Sequence, residues 1–559
     1  MNDIQVRFVN KLEQTIICPC GTNAGSFASR FGVPQESIAA IRVNNEIQPL
    51  NTRLAVNSVL EPVMLDSREG TMIYRRSLAF LLAKAAKKLF PQYSLFSVGH
   101  SLGDSYYYAF TEGSGAAECC GAENIALLAK EMENLVKENI PIKYKNIAYV
   151  EALELFKKNN QIDTLLLLEQ RSSSLIKVNE CNGFMDIYVE PLLPRTGLLD
   201  AFELMPYKDG FLLRFPGFNK GKTIDPFEDE PKIFAVYDEY KKWGRIVGVR
   251  VVGELNSLIA KMKIQDYIRI AEIHQSRKLS NIADLIYERR DSVKTILIAG
   301  PSSSGKTTSA KRLAIELMVL GIKPIAVGLD NYYAGREHTP IDENGQPDFE
   351  CLEALDLPYL NEQLLALYRG EEVTLPVYDF KSGSRKSEGG EKVRLDERSM
   401  LILEGIHALN DALTPNIERG TKFKIYVSAL TQLALDDHNR IPTSDNRLLR
   451  RIVRDNQFRG KDAAGTIKMW PSVQAGERRH IFPFQNTADV AFNSALDYEL
   501  SVLKYFADPL LRAVKPDVYE YAEASRLLSF LENFAPISPH YVPGISLLRE
   551  FIGDSEFTY

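Results

Sequence analysis

Gly300-Pro301-Ser302-Ser303-Ser304-Gly305-Lys306-Thr307 stands between a β-branched apolar run, Thr295 to Ala299, and a stretch in which Ala310, Leu313, Ala314 and Leu317 recur at helical spacing. A G-x-x-x-x-G-K-T pattern in the order strand, loop, helix predicts a phosphate-binding loop. Glycines let the backbone curl so that successive N–H groups face phosphate oxygens, a lysine at this place reaches the outer phosphates, and the threonine hydroxyl ligates Mg²⁺. Gly300, Ser302, Ser303, Ser304, Gly305, Lys306, Thr307 and Thr308 are therefore the candidate ATP-binding residues, and Gly321 is placed to end the helix. Such a loop also constrains what surrounds it, because in open parallel α/β sheets the ligand crevice lies at the carboxyl ends of the strands.

Two more strand patterns fit that sheet. Ile325 to Leu329 ends at Asp330, where a carboxylate accepts a proton from an attacking hydroxyl while Mg²⁺ and Lys306 take up phosphoryl charge. Asp330 is the candidate general base, with helix capping as the alternative. Ser399 to Leu403 ends at Glu404, a Walker B-like acid that joins Thr307 as the candidate metal site. Arg447, Arg450, Arg451 and Arg454 then fall at i, i+3, i+4 and i+7, with Arg459 beyond. One helix face of guanidinium groups predicts a mobile lid closing over phosphates; a solvated basic face or an RNA contact are the alternatives.

A chain of 559 residues exceeds a single core. Its hydrophobic content of 45% and charged content of 25% are those of globular protein, and a formal charge of -6 gives no support to non-specific nucleic-acid binding. Neither a signal-peptide layout nor an unbroken apolar run of membrane length is present, which predicts a cytoplasmic protein with no membrane partner. The cysteines, at 18, 20, 119, 120, 181 and 351, miss zinc spacing and read as reduced thiols. Residues 1–66 alternate short strands and turns, with a helix-like stretch at Ala24 to Phe31 and a linker at Ser67-Arg68-Glu69-Gly70. Residues 67–280 begin with a helix over Tyr74 to Leu89, carry strand-like runs at Thr164 to Leu168 and Gly210 to Phe215, and end in a helical connector. The loop-bearing region spans 281–515, and 516–559 forms a helical extension.

From about 293 to 515 the chain resembles the uridine kinase and phosphoribulokinase family, its uridine–cytidine kinase branch in particular. The motifs are the loop through Thr308, Leu329-Asp330-Asn331-Tyr332-Tyr333, Asp348-Phe349-Glu350 through Asp356, Pro376-Val377-Tyr378-Asp379-Phe380, Leu403-Glu404-Gly405-Ile406, and Arg450 to Asp455 with Arg459-Gly460. The resemblance implies ATP- and Mg²⁺-dependent phosphorylation of a ribonucleoside 5′-hydroxyl. It places Asp330 as base beside Lys306, Thr307 and Glu404 at Mg²⁺, Asp356 on the ribose hydroxyls, Tyr333, Tyr378 and Phe380 around the nucleoside, and Arg451, Arg454 and Arg459 in the lid. Where the pyrimidine kinases carry a base-reading histidine, this chain has Gly383. Uridine is thus the default acceptor, and another hydroxyl acceptor such as a sugar phosphate stays open.

Residues 1–66 look like a TGS domain, most clearly at Ile41-Arg42-Val43-Asn44-Asn45-Glu46-Ile47, and the next region looks like the editing domain of threonyl-tRNA synthetases. That family's hydrolytic site uses H-x-x-x-H with a later Cys and His. Here His100 is followed by Asp104, and Tyr188 to Leu192 holds neither Cys nor His, so a pair of His100 and Asp104 on one helical face with a structural role is expected. The predicted fold class is multidomain α/β: a β-grasp domain, an α+β editing-like domain and a P-loop kinase with a mostly parallel sheet. An RNA- or ribosome-associated regulatory NTPase is the rival reading, with RNA as partner, and an editing hydrolase a third.

Overall fold

The computed structural model describes residues 3–9, 11–111, 118–218, 220–341, 345, 348–379, 382–386 and 388–558. In residues 3–64, strands β1 (Asp3–Phe8), β2 (Lys11–Pro19), β3 (Ile38–Val43), β4 (Glu46–Gln48) and β5 (Ser58–Met64) form one sheet in the order β2-β1-β5-β3-β4. β1 and β5 run parallel at its centre, the β-grasp arrangement expected. The period-2 pattern of β1 buries Ile4, Val6 and Phe8 against Phe27, Ile41 and Leu60. Ala24–Phe31 is a 3₁₀ helix closed by Gly32.

The linker expected at 67–70 is instead the start of helix α1 (Arg68–Leu89), with Ser67 accepting the Gly70 N–H at 3.0 Å. Gly70 is a glycine because a Cβ there would lie 1.9 Å from the Met64 carbonyl oxygen. Helix α1 packs with α2 (Ala122–Glu138) on an antiparallel sheet ordered β11-β12-β7-β6, from β6 (Ser94–Ser101), β7 (Ser105–Thr111), β11 (Glu203–Tyr207) and β12 (Gly210–Arg214). A second antiparallel sheet holds β8 (Lys143–Ala148), β9 (Leu175–Cys181) and β10 (Phe184–Ile187), beside α3 (Tyr149–Lys158) and α4 (Ile162–Glu169). Two expectations fail here. Thr164 to Leu168 lies in α4, since a short apolar run carries no period of its own. His100 and Asp104 share no helical face: β6 ends at Ser101 and a turn leads into β7, while the Asp104 carboxylate pairs with Arg75 at 2.7 Å.

Helices α5 (Pro231–Val247), α6 (Val252–Ala260) and α7 (Ile264–Glu288) lead to a parallel sheet, and the boundary expected at 281 falls inside α7. Strands β13 (Thr295–Ala299), β14 (Lys323–Gly328), β19 (Ser399–Glu404), β20 (Lys422–Ser428) and β21 (Val490–Asn493) stand in the order β14-β19-β13-β20-β21, all parallel. β13 is buried along its whole length. Ile296 and Ile298 face a core shared with α7 and α8 (Lys306–Val319), whereas Leu297 and Ala299 face one shared with α9 (Leu357–Tyr368). β15 (Val373–Thr374) pairs with β18 (Lys392–Val393), and β16 (Tyr378–Asp379) with β17 (Ser384–Arg385), in two short antiparallel ladders. Helices α10 (Thr443–Arg459) and α11 (Ala463–His480) precede β21; α12 (Glu499–Arg512), α13 (Tyr521–Leu531) and α14 (Arg549–Ile552) follow it. Residues 494–498 form a largely buried turn between β21 and α12.

Candidate active site

β13 delivers the chain to the loop, and α8 carries it away. Gly300 passes so close under β20 that a Cβ would sit 1.9 Å from the Val427 oxygen, and Ser303 and Gly305 adopt φ +57° and +81°. The loop is held from behind by the arginines expected to close over it. Arg447 donates to the Ser302 oxygen at 3.1 Å and to Glu477 at 2.8 Å; Arg450, fully buried, donates to the Ser303 oxygen at 3.3 Å and to Glu499 at 2.9 Å. Those two are structural anchors and not lid residues, because Glu477 and Glu499, remote in sequence, neutralise them inside the protein. Arg451 reaches the Ser302 hydroxyl at 2.6 Å, and Asp455 gathers Arg451, Arg454 and Arg459 at 3.3, 2.8 and 3.7 Å.

Lys306, Thr307, Glu404 and Asp330 stand near one another at the front of the loop. Lys306 donates to the Pro301 oxygen at 3.3 Å, and the Thr307 hydroxyl meets Glu404 at 3.3 Å. Register explains the latter, since Glu404 pairs with Ile298 of β13 on one side and Gly328 of β14 on the other. Two hard oxygen donors side by side suit Mg²⁺, which keeps phosphate and water for its remaining positions. Burial pushes the Glu404 carboxyl up to about 7 against the pull of Lys306, and Asp330 and Glu550 add to the rise. Asp330 follows β14 in a 3₁₀ turn (Leu329–Tyr332) and opens to the cleft. The protein mass around it raises its carboxyl above the usual range, with Lys306, Arg459 and Arg454 opposing.

Tyr333 lies 5.6 Å from Tyr378, ring to ring, and its hydroxyl donates to the Phe349 oxygen at 3.1 Å. Phe380 lies outside the described residues. Asp356 caps α9 by accepting the Tyr359 N–H at 3.1 Å, and its second oxygen accepts from Arg385 at 2.7 Å. Gly383 takes φ +71° in the turn between β16 and β17, so the backbone itself calls for glycine there. Sequence reasoning missed Glu350, whose carboxyl is pushed up to about 7 by burial, then by Glu477, while Arg451 and Lys306 pull it down and Asp330 adds to the rise. Its only signal was its place in the Asp348-Phe349-Glu350 motif. Arg385, Glu477 and Glu550 were also missed, for want of a local pattern.

In the N-terminal half, Tyr188 to Leu192 faces α1. Arg76 pairs with Glu190, and Arg526 of α13 reaches the same carboxylate at 3.0 Å. A small pocket there is lined by Arg76, Phe80, Asp186, Glu190, Leu192 and His438, while Arg75 donates to Asp104 and to the Pro216 oxygen.

Residues 295–501 match the model of the Phosphoribulokinase / Uridine kinase family. The N-terminal region is similar to threonine–tRNA ligases. Threonine–tRNA ligase 2 of Bacillus subtilis is 34% identical over 182 residues, 32% of this chain and 27% of that protein. The enzyme of Desulforamulus reducens is 32% identical over 194 residues, 34% of this chain and 29% of that one. The chain thus spans less than a third of the length of these relatives. A solved structure described as a possible uridine kinase from Bacillus stearothermophilus shares 20% identity, covering 37% of this chain and 99% of its own at a TM-score of 0.24. D-glycerate 3-kinase from Cryptococcus neoformans shares 15%, covering 45% and 87% at 0.22; neither score is high enough to bear on the fold.

Proposed function

We propose that the chain is an ATP- and Mg²⁺-dependent kinase of ribonucleosides, uridine or cytidine by default, with N-terminal regions that scaffold and do not hydrolyse. The observation that carries it is the convergence of Asp330, Lys306 and the Thr307–Glu404 pair in one cleft beside Tyr333 and Tyr378. Asp330 accepts the proton of the attacking 5′-hydroxyl as its oxygen bonds the γ-phosphorus and the bond to ADP breaks. Lys306, with Arg454 and Arg459, faces the charge that develops, and Arg451 orients the loop through Ser302. Mg²⁺ held by Thr307 and Glu404 would screen the phosphates. Reading the ribose falls to Asp356, whose two oxygens are already oriented by Tyr359 and Arg385. All six cysteines are free thiols, in keeping with a cytoplasmic setting. Among the described residues no helix is long and apolar enough to cross a membrane.

Arg385 favours one second reading within the same chemistry: a guanidinium beside Asp356 would also receive an anionic acceptor such as a sugar phosphate. A panel of nucleosides and phosphosugars scored by ADP release separates the two. Turnover with uridine or cytidine, and none with phosphosugars, is expected; the reverse would replace the nucleoside reading with the second.

A further inference from the structure

The first turn of α8 already holds an anion supplied by the chain itself. Glu550, in α14, accepts the backbone N–H of Thr308 at 3.1 Å and the Thr308 hydroxyl at 2.6 Å, both through Oε2. These are donors of the loop that the nucleotide phosphates require, and free N–H groups at a helix start are the ordinary attractors of phosphate. Glu477 makes a comparable contact at the other end of the loop, accepting the Ser302 N–H at 2.9 Å, yet its charge is matched by Arg447. Among the described residues Glu550 forms no ion pair with a lysine or arginine, and its carboxylate adds to the negative field at Glu404. Its compensation comes from the Thr308 donors and the helix end.

The segment that carries Glu550 is built into the fold. Leu547, Leu548 and Phe551 are completely buried, Leu547 lies so close to Gly305 that a Cβ there would meet it at 2.4 Å, and Phe551 lies under Arg450 at 4.9 Å. Ser546 bonds Glu272 of α7 at 2.5 Å. Glu550 itself is half-buried. The helix therefore stays while the side chain is able to swing away.

We propose that Glu550 is an internal stand-in for a nucleotide phosphate: it competes for the Thr308 donors, and its displacement sets the affinity of the loop for phosphorylated nucleosides. This rests on the reading of the loop as a nucleotide site, and not on which acceptor is used. When the binding-competent state is only a fraction of the population, the apparent dissociation constant rises by the inverse of that fraction. A carboxylate in place also repels incoming phosphates, an effect absent for adenosine.

Calorimetric titration of the full chain with ATP and, separately, with adenosine tests this in the wild type, Glu550→Gln and Glu550→Ala. ATP is expected to bind about tenfold more tightly to Glu550→Ala, the gain expected when the open state is about a tenth of the population. Glu550→Gln, which loses the charge and keeps the shape, should shift in the same direction, and it carries the test alone if the alanine variant does not fold. Adenosine affinity should be unchanged in both. Unchanged or weaker ATP binding in the variants, or an equal gain for adenosine, would overturn the proposal. Tighter ATP binding with no acceptor phosphorylated would uphold Glu550 and remove the acceptor reading, whereas no ATP binding by any of the three would overturn both.

Discussion

Asp330 works at the scale of one residue because its carboxylate stands between two opposing influences, protein mass that disfavours its charge and three cations that favour it. The balance lies above the ordinary aspartate range, so in the role proposed for it Asp330 is protonated, and idle, over a wider acidic interval. Activity should therefore rise with pH along a limb displaced upward from that of a free aspartate. Asp330→Asn should lose that limb and lower kcat by about 10²–10⁴-fold, with the affinity for ATP held within a few-fold, as rate profiles and nucleotide titration would show. Retention of both limb and rate would remove Asp330 from the role. Its place at a strand end was legible in the sequence. Glu350 was not, since an isolated acid in a loop becomes a group with a carboxyl near 7 only when Glu477 and the surrounding protein close on it.

At the scale of elements, α10 shows how one periodic pattern divides into two jobs. The spacing of Arg447, Arg450, Arg451 and Arg454 was readable, and so was the helix. Which side of that face meets solvent depended on α11 and α12, which bring Glu477 and Glu499 to the first two arginines. Arg450→Met would leave Glu499 as an uncompensated buried charge, at a cost of about 3–5 kcal/mol. Urea unfolding should record that loss; a change below about 1 kcal/mol would show that the pair contributes little. Short apolar segments were the other blind spot. Thr164 to Leu168 forms one helical turn and more in α4, whose start is held by Asp437 accepting the Asp163 and Thr164 N–H groups at 3.1 and 3.2 Å, a contribution from 274 and 273 residues away.

Across the whole molecule, the N-terminal regions and the region of the phosphate-loop motif share one buried core, from Ile147 and Val178 through Ile268 to Ile298 and Leu503. Charged ties cross the same junction. Arg526 joins Glu190, Glu523 and Asp445 at 3.0, 2.7 and 2.7 Å, and His438 lies 3.0 Å from Asp186. Arg526→Met should leave three carboxylates facing one another and weaken the joint, so that calorimetry resolves separate transitions for the two halves; one unaltered transition would show that the apolar core alone unites them. By itself the sequence determined the phosphate loop, the strands that flank it and the acids at their ends, because each is written in consecutive residues that obey local backbone rules. Only the tertiary structure decided which arginines face the cleft and which hold the loop from behind. It also placed Glu550 on Thr308, 242 residues apart, since contacts between distant residues leave no period or motif in the chain.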